Sequence, residues 1–192
     1  MLERLLHWVE RYADHKHATK ALSFVSFVES SFFPIPPFVL IIAMLAHERR
    51  ISWIRLAVIG TLASVCGGVF GYFIGKFFYM YIGAPLVAFY GLGSEVTYLG
   101  TLFRAHVFAT ILLASISPVP YKVFTISAGL FSVNLWSFII ASILGRGLRF
   151  FTVSYIANRY GINAKRLLLT HQKNVFTILV IILVLLIAYS IL

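Results

Sequence analysis

The stretch Glu29-Ser30-Ser31-Phe32-Phe33-Pro34-Ile35-Pro36-Pro37-Phe38 sits in the middle of an apolar run, Ala21 to Ala46, that is long enough to cross a bilayer. Three prolines within four residues do not fit a continuous helix. Each removes a backbone donor, and its ring collides with the preceding turn. Broken backbone at membrane depth is tolerated only where protein or enclosed water surrounds it. The segment is therefore expected to form two half-helices that meet at Pro34, Pro36 and Pro37 and return to the side of entry.

The same device recurs downstream. His106 to Phe131 is apolar and is broken at Ser117-Pro118-Val119-Pro120. Pro34-Ile35-Pro36 matches Pro118-Val119-Pro120 at an offset of 84 (118 − 34), and Lys20-Ala21 with Phe24 matches Arg104-Ala105 with Phe108 at the same offset. Trp53 matches Trp136 at 83 (136 − 53). Each half reads as amphipathic helix, broken segment, then span. The expected organisation is a single membrane domain over 1–192, with repeat one at 1–78, repeat two at 86–157 and a C-terminal transmembrane helix at 174–192.

Between these landmarks, Ile51 to Phe78 reads as a span. Its Gly67, Gly71 and Gly75 recur every fourth residue and form a face that lets another helix approach closely. Cys66, the single cysteine, lies beside this face and is expected to be a small packing residue. A loop is expected around Gly83, Pro85, Gly91 and Gly93, then a short amphipathic helix at 94–105. Asn134 to Tyr155 is a span carrying Arg146 and Arg149, 158–173 is polar and basic, and Val175 to Leu192 is a final span. Residues 2–20 have helical apolar spacing with charges between, so that helix either lies on the membrane surface or packs on protein.

Composition agrees. Hydrophobic residues make up 60% of the 192 positions, charged residues 11%, and the mean hydropathy is +0.93. A soluble domain of this size needs a mostly polar shell, so lipid is the fitting solvent. The start, Met1-Leu2-Glu3-Arg4-Leu5-Leu6, interleaves acid and base and does not read as a signal peptide. The net charge of +10 does not form a stripe with interleaved aromatics, which argues against nucleic acid. The cations cluster instead at segment ends. If the broken segments do not cross, most of them fall on one face with only Lys76 and Arg104 opposite, giving an inverted repeat with a cytoplasmic N-terminus and an external C-terminus.

Few residues can carry chemistry. Glu29 is the only carboxylate inside an apolar segment. Such a group costs about 2.5–3.5 kcal/mol on insertion scales and needs a partner, water or a proton. It is a candidate proton carrier, or else a helix cap or structural ion-pair partner. Lys122 lies just past the second proline pair. Arg146 and Arg149 share a helix face at i, i+3, and Arg146 falls about 18 Å beyond Asn134, near the bilayer centre. An arginine there must face a cavity or an anion. Arg149 has the alternative of snorkelling to the interface. Ser30, Ser31, Ser115 and Ser117 flank the breaks and can satisfy freed backbone groups. No metal spacing, phosphate loop or nucleophile–base pair is evident, so neither a cofactor nor an enzyme activity is expected.

These residues resemble a known family. Glu29 to Pro37, then Gly71-Tyr72-Phe73-Ile74-Gly75-Lys76, then Pro118-Val119-Pro120-Tyr121-Lys122 with Ala128-Gly129, are similar to the DedA family, also called SNARE-associated or VTT-domain proteins. Arg146-Gly147-Leu148-Arg149-Phe150 resembles its shorter, YqaA-type branch. The resemblance implies an inner-membrane protein with two opposed re-entrant helices. It implies movement of lipids such as phospholipids or undecaprenyl phosphate between leaflets, and tolerance of altered proton gradients. Glu29 matches the family's membrane glutamate. Phe38 and Gly68 stand where many members have acids, and Ser115 and Tyr121 where the main branch has two arginines. Lys122, Arg146 and Arg149 are the expected substitutes.

The fold expected is thus an all-α integral membrane protein built as an inverted repeat. Its expected work is that of a lipid flippase or scramblase for an anionic headgroup. In that reading Glu29, Lys122, Arg146 and Arg149 line a polar groove opened by the prolines. A proton-coupled solute or ion transporter and a non-transporting scaffold are the alternatives. Membrane lipids, protons and a second copy of the chain are the expected partners.

Overall fold

A computed structural model describes residues 18–32, 36–47, 52–117, 120–160 and Ile181. Most of the N-terminal amphipathic helix and of the final span, together with Pro34 and Pro118, lie outside the described residues. The described residues are helical: α1 (Ala18–Ser31), α2 (Pro37–His47), α3 (Trp53–Phe78), a π-turn (Tyr79–Gly83), α4 (Ala84–Tyr90), α5 (Gly93–Ala105), α6 (Val107–Ile116), α7 (Tyr121–Leu130) and α8 (Leu135–Tyr160). The chain is an all-α membrane protein. Among the described residues two helices are long and apolar enough to cross a bilayer, or three if the bent pair α5–α6 counts as one span.

Both expected breaks are present, and local chemistry explains their edges. Pro37 is the first residue of α2, where its fixed φ suits a helix start and its missing N–H is not needed. At the second break Ser117 is extended (φ −64°, ψ 160°), the conformation imposed on a residue before proline. Pro120 precedes α7, and its carbonyl accepts from the Val123 amide at 3.1 Å. The side chain of Asn134 caps α8 by accepting from the Ser137 amide at 2.9 Å.

One expectation is corrected. The loop expected around Gly83 and Pro85 is helical, and the α3 helix runs on through the π-turn into α4, giving an apolar stretch from Trp53 to Phe89. The π-turn sits immediately upstream of Pro85, where a proline would clash with a regular preceding turn. The wider turn accommodates it, with the Ala84 amide donating to the Tyr79 carbonyl. The stop comes later, at Gly91, whose φ of +68° closes α4 in the left-handed region.

Packing repeats with the sequence. α1 packs on α3, the span of its own half, while α2 packs on α8, the span of the other half. In the second half α6 packs on its own span α8, and α7 crosses to α3. The two spans also pack on each other. Each half thus lends its second half-helix to the opposite span.

Close approach rests on glycine. A β-carbon at Gly67 would fall on the Phe27 carbonyl of α1, one at Gly75 on the Ile126 carbonyl of α7, and one at Gly129 on the Tyr72 carbonyl of α3. Gly71 faces the Thr125 side chain. These are backbone-on-backbone contacts, of the kind that drives association where lipid offers no hydrophobic drive. Two buried apolar clusters flank this centre. One is built around Leu22, Leu40, Met44 and Leu56, the other around Tyr72, Ile111, Tyr121 and Phe138. Phe70, Phe73, Phe77, Ile140 and Leu144 point outward, as a lipid solvent allows. Cys66 is exposed with them, so it is not the packing residue expected.

Candidate functional site

Arg146 is the largest fully buried side chain among the described residues, 1% exposed at mid-length of α8. Its neighbours come from four helices. The Nη2 group forms an ion pair with Oε2 of Glu29 and donates to the Ser30 hydroxyl at 3.0 Å, both on α1. Nε donates to Ser64 Oγ of α3 at 2.5 Å. The Tyr121 ring of α7 lies over the guanidinium at 4.9 Å from ring centre, and the Phe150 ring lies at 5.4 Å. A delocalised cation in apolar surroundings is stabilised by such ring faces and by charge-assisted hydrogen bonds.

The hydroxyls close the network. Ser30 and Ser64 lie 2.6 Å apart, and Ser30 Oγ lies 3.2 Å from Glu29 Oε2. Both hydroxyl protons have an acceptor when Ser64 donates to Ser30 and Ser30 donates to Glu29, leaving both oxygens to accept from Arg146. Three of the Arg146 N–H groups are thereby paired within the protein, and the Glu29 side chain, 19% exposed, is the open edge of the cluster.

Around this centre the second break is tied in. Tyr121, the first residue of α7, donates to Ser142 Oγ at 2.5 Å, and Ser142 donates to the Phe138 carbonyl at 2.6 Å. Thr125 Oγ1 lies 3.4 Å from the Ser30 carbonyl, joining α7 to the end of α1. Arg149 Nη1 donates to the Ser117 carbonyl at 3.3 Å. Arg149 therefore holds the backbone of the second break. The Ser31 hydroxyl reaches the carbonyls of Phe27, one turn back, and of Gly67 on α3, and Ser115 donates to that of Ile111, one turn back; these carbonyls lie inside helices and not at the breaks.

Of the sequence candidates, Glu29 and Arg146 meet directly, and Arg149 sits on the second break. Lys122 is not in the cluster: its side chain makes no hydrogen bond or ion pair among the described residues, and only its carbonyl is used, accepting from Thr125 at 3.0 Å. A residue just past the prolines can face any direction on the first turn of α7. Tyr121, its neighbour, takes the inward direction. Among the described residues the side chains around Arg146 enclose it.

Sequence reasoning did not single out Ser64 and Tyr121. Ser64 stands among the small residues of the glycine-faced span, while Tyr121 carries only the signal of standing where the family's main branch has an arginine. The signal available was the pair of departures at 68 and 121. A β-carbon at Gly68 would come within 3.0 Å of the Tyr121 hydroxyl, so the small residue and the large ring fill one space.

The comparisons bear on this architecture. The VTT domain family matches residues 33–159, which include the two spans α3 and α8. An uncharacterized protein of Haemophilus influenzae is 33% identical over 157 residues, 82% of this chain and 79% of that protein. An uncharacterized protein homolog of Histophilus somni is 29% identical over 147 residues, 77% of this chain and 76% of that protein. No solved structure matches. By the extent of the domain match and the identity to the Haemophilus protein, the chain belongs to the VTT-domain family, the DedA/SNARE-associated membrane proteins.

Proposed function

We propose that this protein is a membrane transporter that moves an anionic lipid headgroup between leaflets, with the lipid tails left in the bilayer. The observation that carries the reading is the Glu29–Arg146 ion pair, buried where the first break meets both spans. A charge at that depth is costly and is a functional group by default. A phosphate needs positive charge and donors, and Arg146 offers a planar fork to one. Glu29 then acts as the resident anion that satisfies Arg146 between transport events and yields to phosphate during them. The test is Glu29→Gln. The variant should insert and fold, yet lose lipid translocation by roughly tenfold or more, the loss of a hydrogen bond to a charged group. Full activity would return Glu29 to a structural role.

A second reading has one observation in its favour. Arg146 is enclosed and already paired with Glu29, Ser30 and Ser64, and a small ion or proton needs less opening than a headgroup does. That reading makes the protein a proton-coupled solute or ion transporter. A membrane scaffold, by contrast, has no use for a buried charge network.

The proposed setting is the cytoplasmic membrane, with the two halves in inverted orientation and the substrate path between the breaks. The exchange of half-helices between spans supports a two-fold relation. Single cysteines introduced near each terminus in a Cys66→Ser background should label from opposite sides, N-terminus inside. Labelling of both ends from one side would reject the inverted arrangement.

A further inference from the structure

Away from the Glu29–Arg146 pair, a cleft of about 150 Å³ lies between α5, the π-turn and the end of α7. Its cation is Arg104, in the last turn of α5. Arg104 Nη1 donates to the Phe131 carbonyl at 3.1 Å, which fixes the guanidinium at the cleft wall with its other N–H groups available. Tyr79, Thr97 and Ser132 add hydroxyl-bearing side chains to the lining, and among the described residues no carboxylate lines it. Glu95, the acid on α5, is held by the Ser94 hydroxyl at 2.9 Å outside the cleft.

Two backbone irregularities border the same space. Tyr79 opens the π-turn, a feature that recurs at functional sites. Ser132 has φ +48°, the one positive-φ residue other than glycine among the described residues. Non-glycine residues adopt that region at a cost, so the loop after α7 is held in a demanding shape where it meets the cleft. The surroundings place the cleft at the edge of the apolar slab. α5 carries exposed Tyr98, Leu99 and Leu102, the π-turn carries exposed Tyr81, and α4 carries exposed Phe89 and Tyr90, the aromatic composition of a membrane interface.

We propose that this cleft binds a phosphate oxyanion at the membrane surface, the group shared by a phospholipid headgroup and free phosphate. The volume admits a tetrahedral oxyanion, since one water needs only about 10–15 Å³ of such space. A fixed guanidinium with hydroxyls around it and no competing acid is donor chemistry suited to phosphate. The exposed apolar residues of α5 would lie beside the acyl chains of a bound lipid. This site is separate from the central ion pair and does not depend on the transport reading.

The experiment uses the full chain purified in detergent and measures binding of phosphatidylglycerol, of diacylglycerol with the same tails, and of inorganic phosphate. Variants are Arg104→Gln, which removes the charge, and Gly100→Leu, which keeps it but fills the cleft. A β-carbon at Gly100 already reaches the Phe131 ring at 3.2 Å and the Arg104 guanidinium at 3.4 Å. Lys76→Gln, a cation outside the lining, is the control. Phosphatidylglycerol should bind, diacylglycerol should not, and each cleft variant should weaken binding by roughly tenfold or more while the control does not. Binding of inorganic phosphate as tight as that of the lipid, with the same variant pattern, supports the oxyanion site and assigns it to free phosphate. Equal binding of diacylglycerol, or Arg104→Gln binding like the unsubstituted protein, overturns the proposal. The cleft variants are read on this binding and Glu29→Gln on lipid translocation, so failure here is distinguishable from failure of the central site.

Discussion

Arg146→Ala is expected to destabilise the folded protein by about 3–5 kcal/mol, the cost of removing one partner from a buried ion pair. The geometry accounts for the size. The substitution strips the Glu29 carboxylate of its counter-charge, takes a donor from Ser64 and leaves a void between the rings of Tyr121 and Phe150. Arg146→Lys keeps the charge but replaces the fork with a point donor, so it cannot serve Ser64 through Nε and Glu29 through Nη2 together. It should fall between the two. Glu29→Leu combined with Arg146→Met removes both charges and keeps apolar volume, and should recover most of the stability lost in Arg146→Ala. Ser30 and Ser64 still satisfy each other in that variant. Thermal unfolding in detergent across the three variants and the parent checks this order. A double variant no more stable than Arg146→Ala would mean that the pair is not the source of the loss.

The second large effect lies at the crossing of α3 with α7. Gly75→Ala and Gly129→Ala each place a methyl group onto backbone of the facing helix, at the Ile126 and Tyr72 carbonyls. Neither helix can yield by a side-chain rotation, so the axes must separate. Overpacking costs typically about 1–3 kcal/mol and more where backbone must move. The loss also pulls on the site, because α7 carries Tyr121 and Thr125 and α3 carries Ser64. The two substitutions act on one crossing, so their effects should combine non-additively. Gly93→Ala, with nothing within 4 Å, is the matched control and should be neutral. The readout is the monodisperse fraction and the unfolding temperature in detergent. Wild-type behaviour of both crossing variants would mean that the helices do not approach as closely as described.

The proline breaks and the glycine-faced span were legible because they rest on rules that hold residue by residue. A proline denies a hydrogen bond wherever it stands, and glycine every fourth residue marks one face of any helix. The pairing of Glu29 with Arg146 was half legible. Each was costly alone in lipid, which requires a partner, but 117 positions separate them and only the fold selects one cation among several. Lys122 illustrates the limit: its spacing from the prolines was right, and the direction of a first-turn side chain is set by packing. Pro85 illustrates another. It reads as a loop residue, yet a π-turn absorbs it and the helix continues. Ser64 was hidden because a small hydroxyl residue serves equally as spacer and as ligand to a guanidinium, and composition does not separate the two.

The account's central claim is that the buried pair handles an anionic lipid headgroup. Its most direct test is leaflet exchange of fluorescent anionic and zwitterionic lipids in proteoliposomes, with and without a proton gradient, for the unsubstituted protein, Glu29→Gln and Arg146→Lys. The account predicts exchange of the anionic lipid well above protein-free vesicles, weaker exchange of the zwitterionic one, and loss of roughly tenfold or more in both variants. Exchange no faster than in protein-free vesicles, for every headgroup and with the gradient present, would contradict it and leave the proton-coupled solute transporter as the better reading.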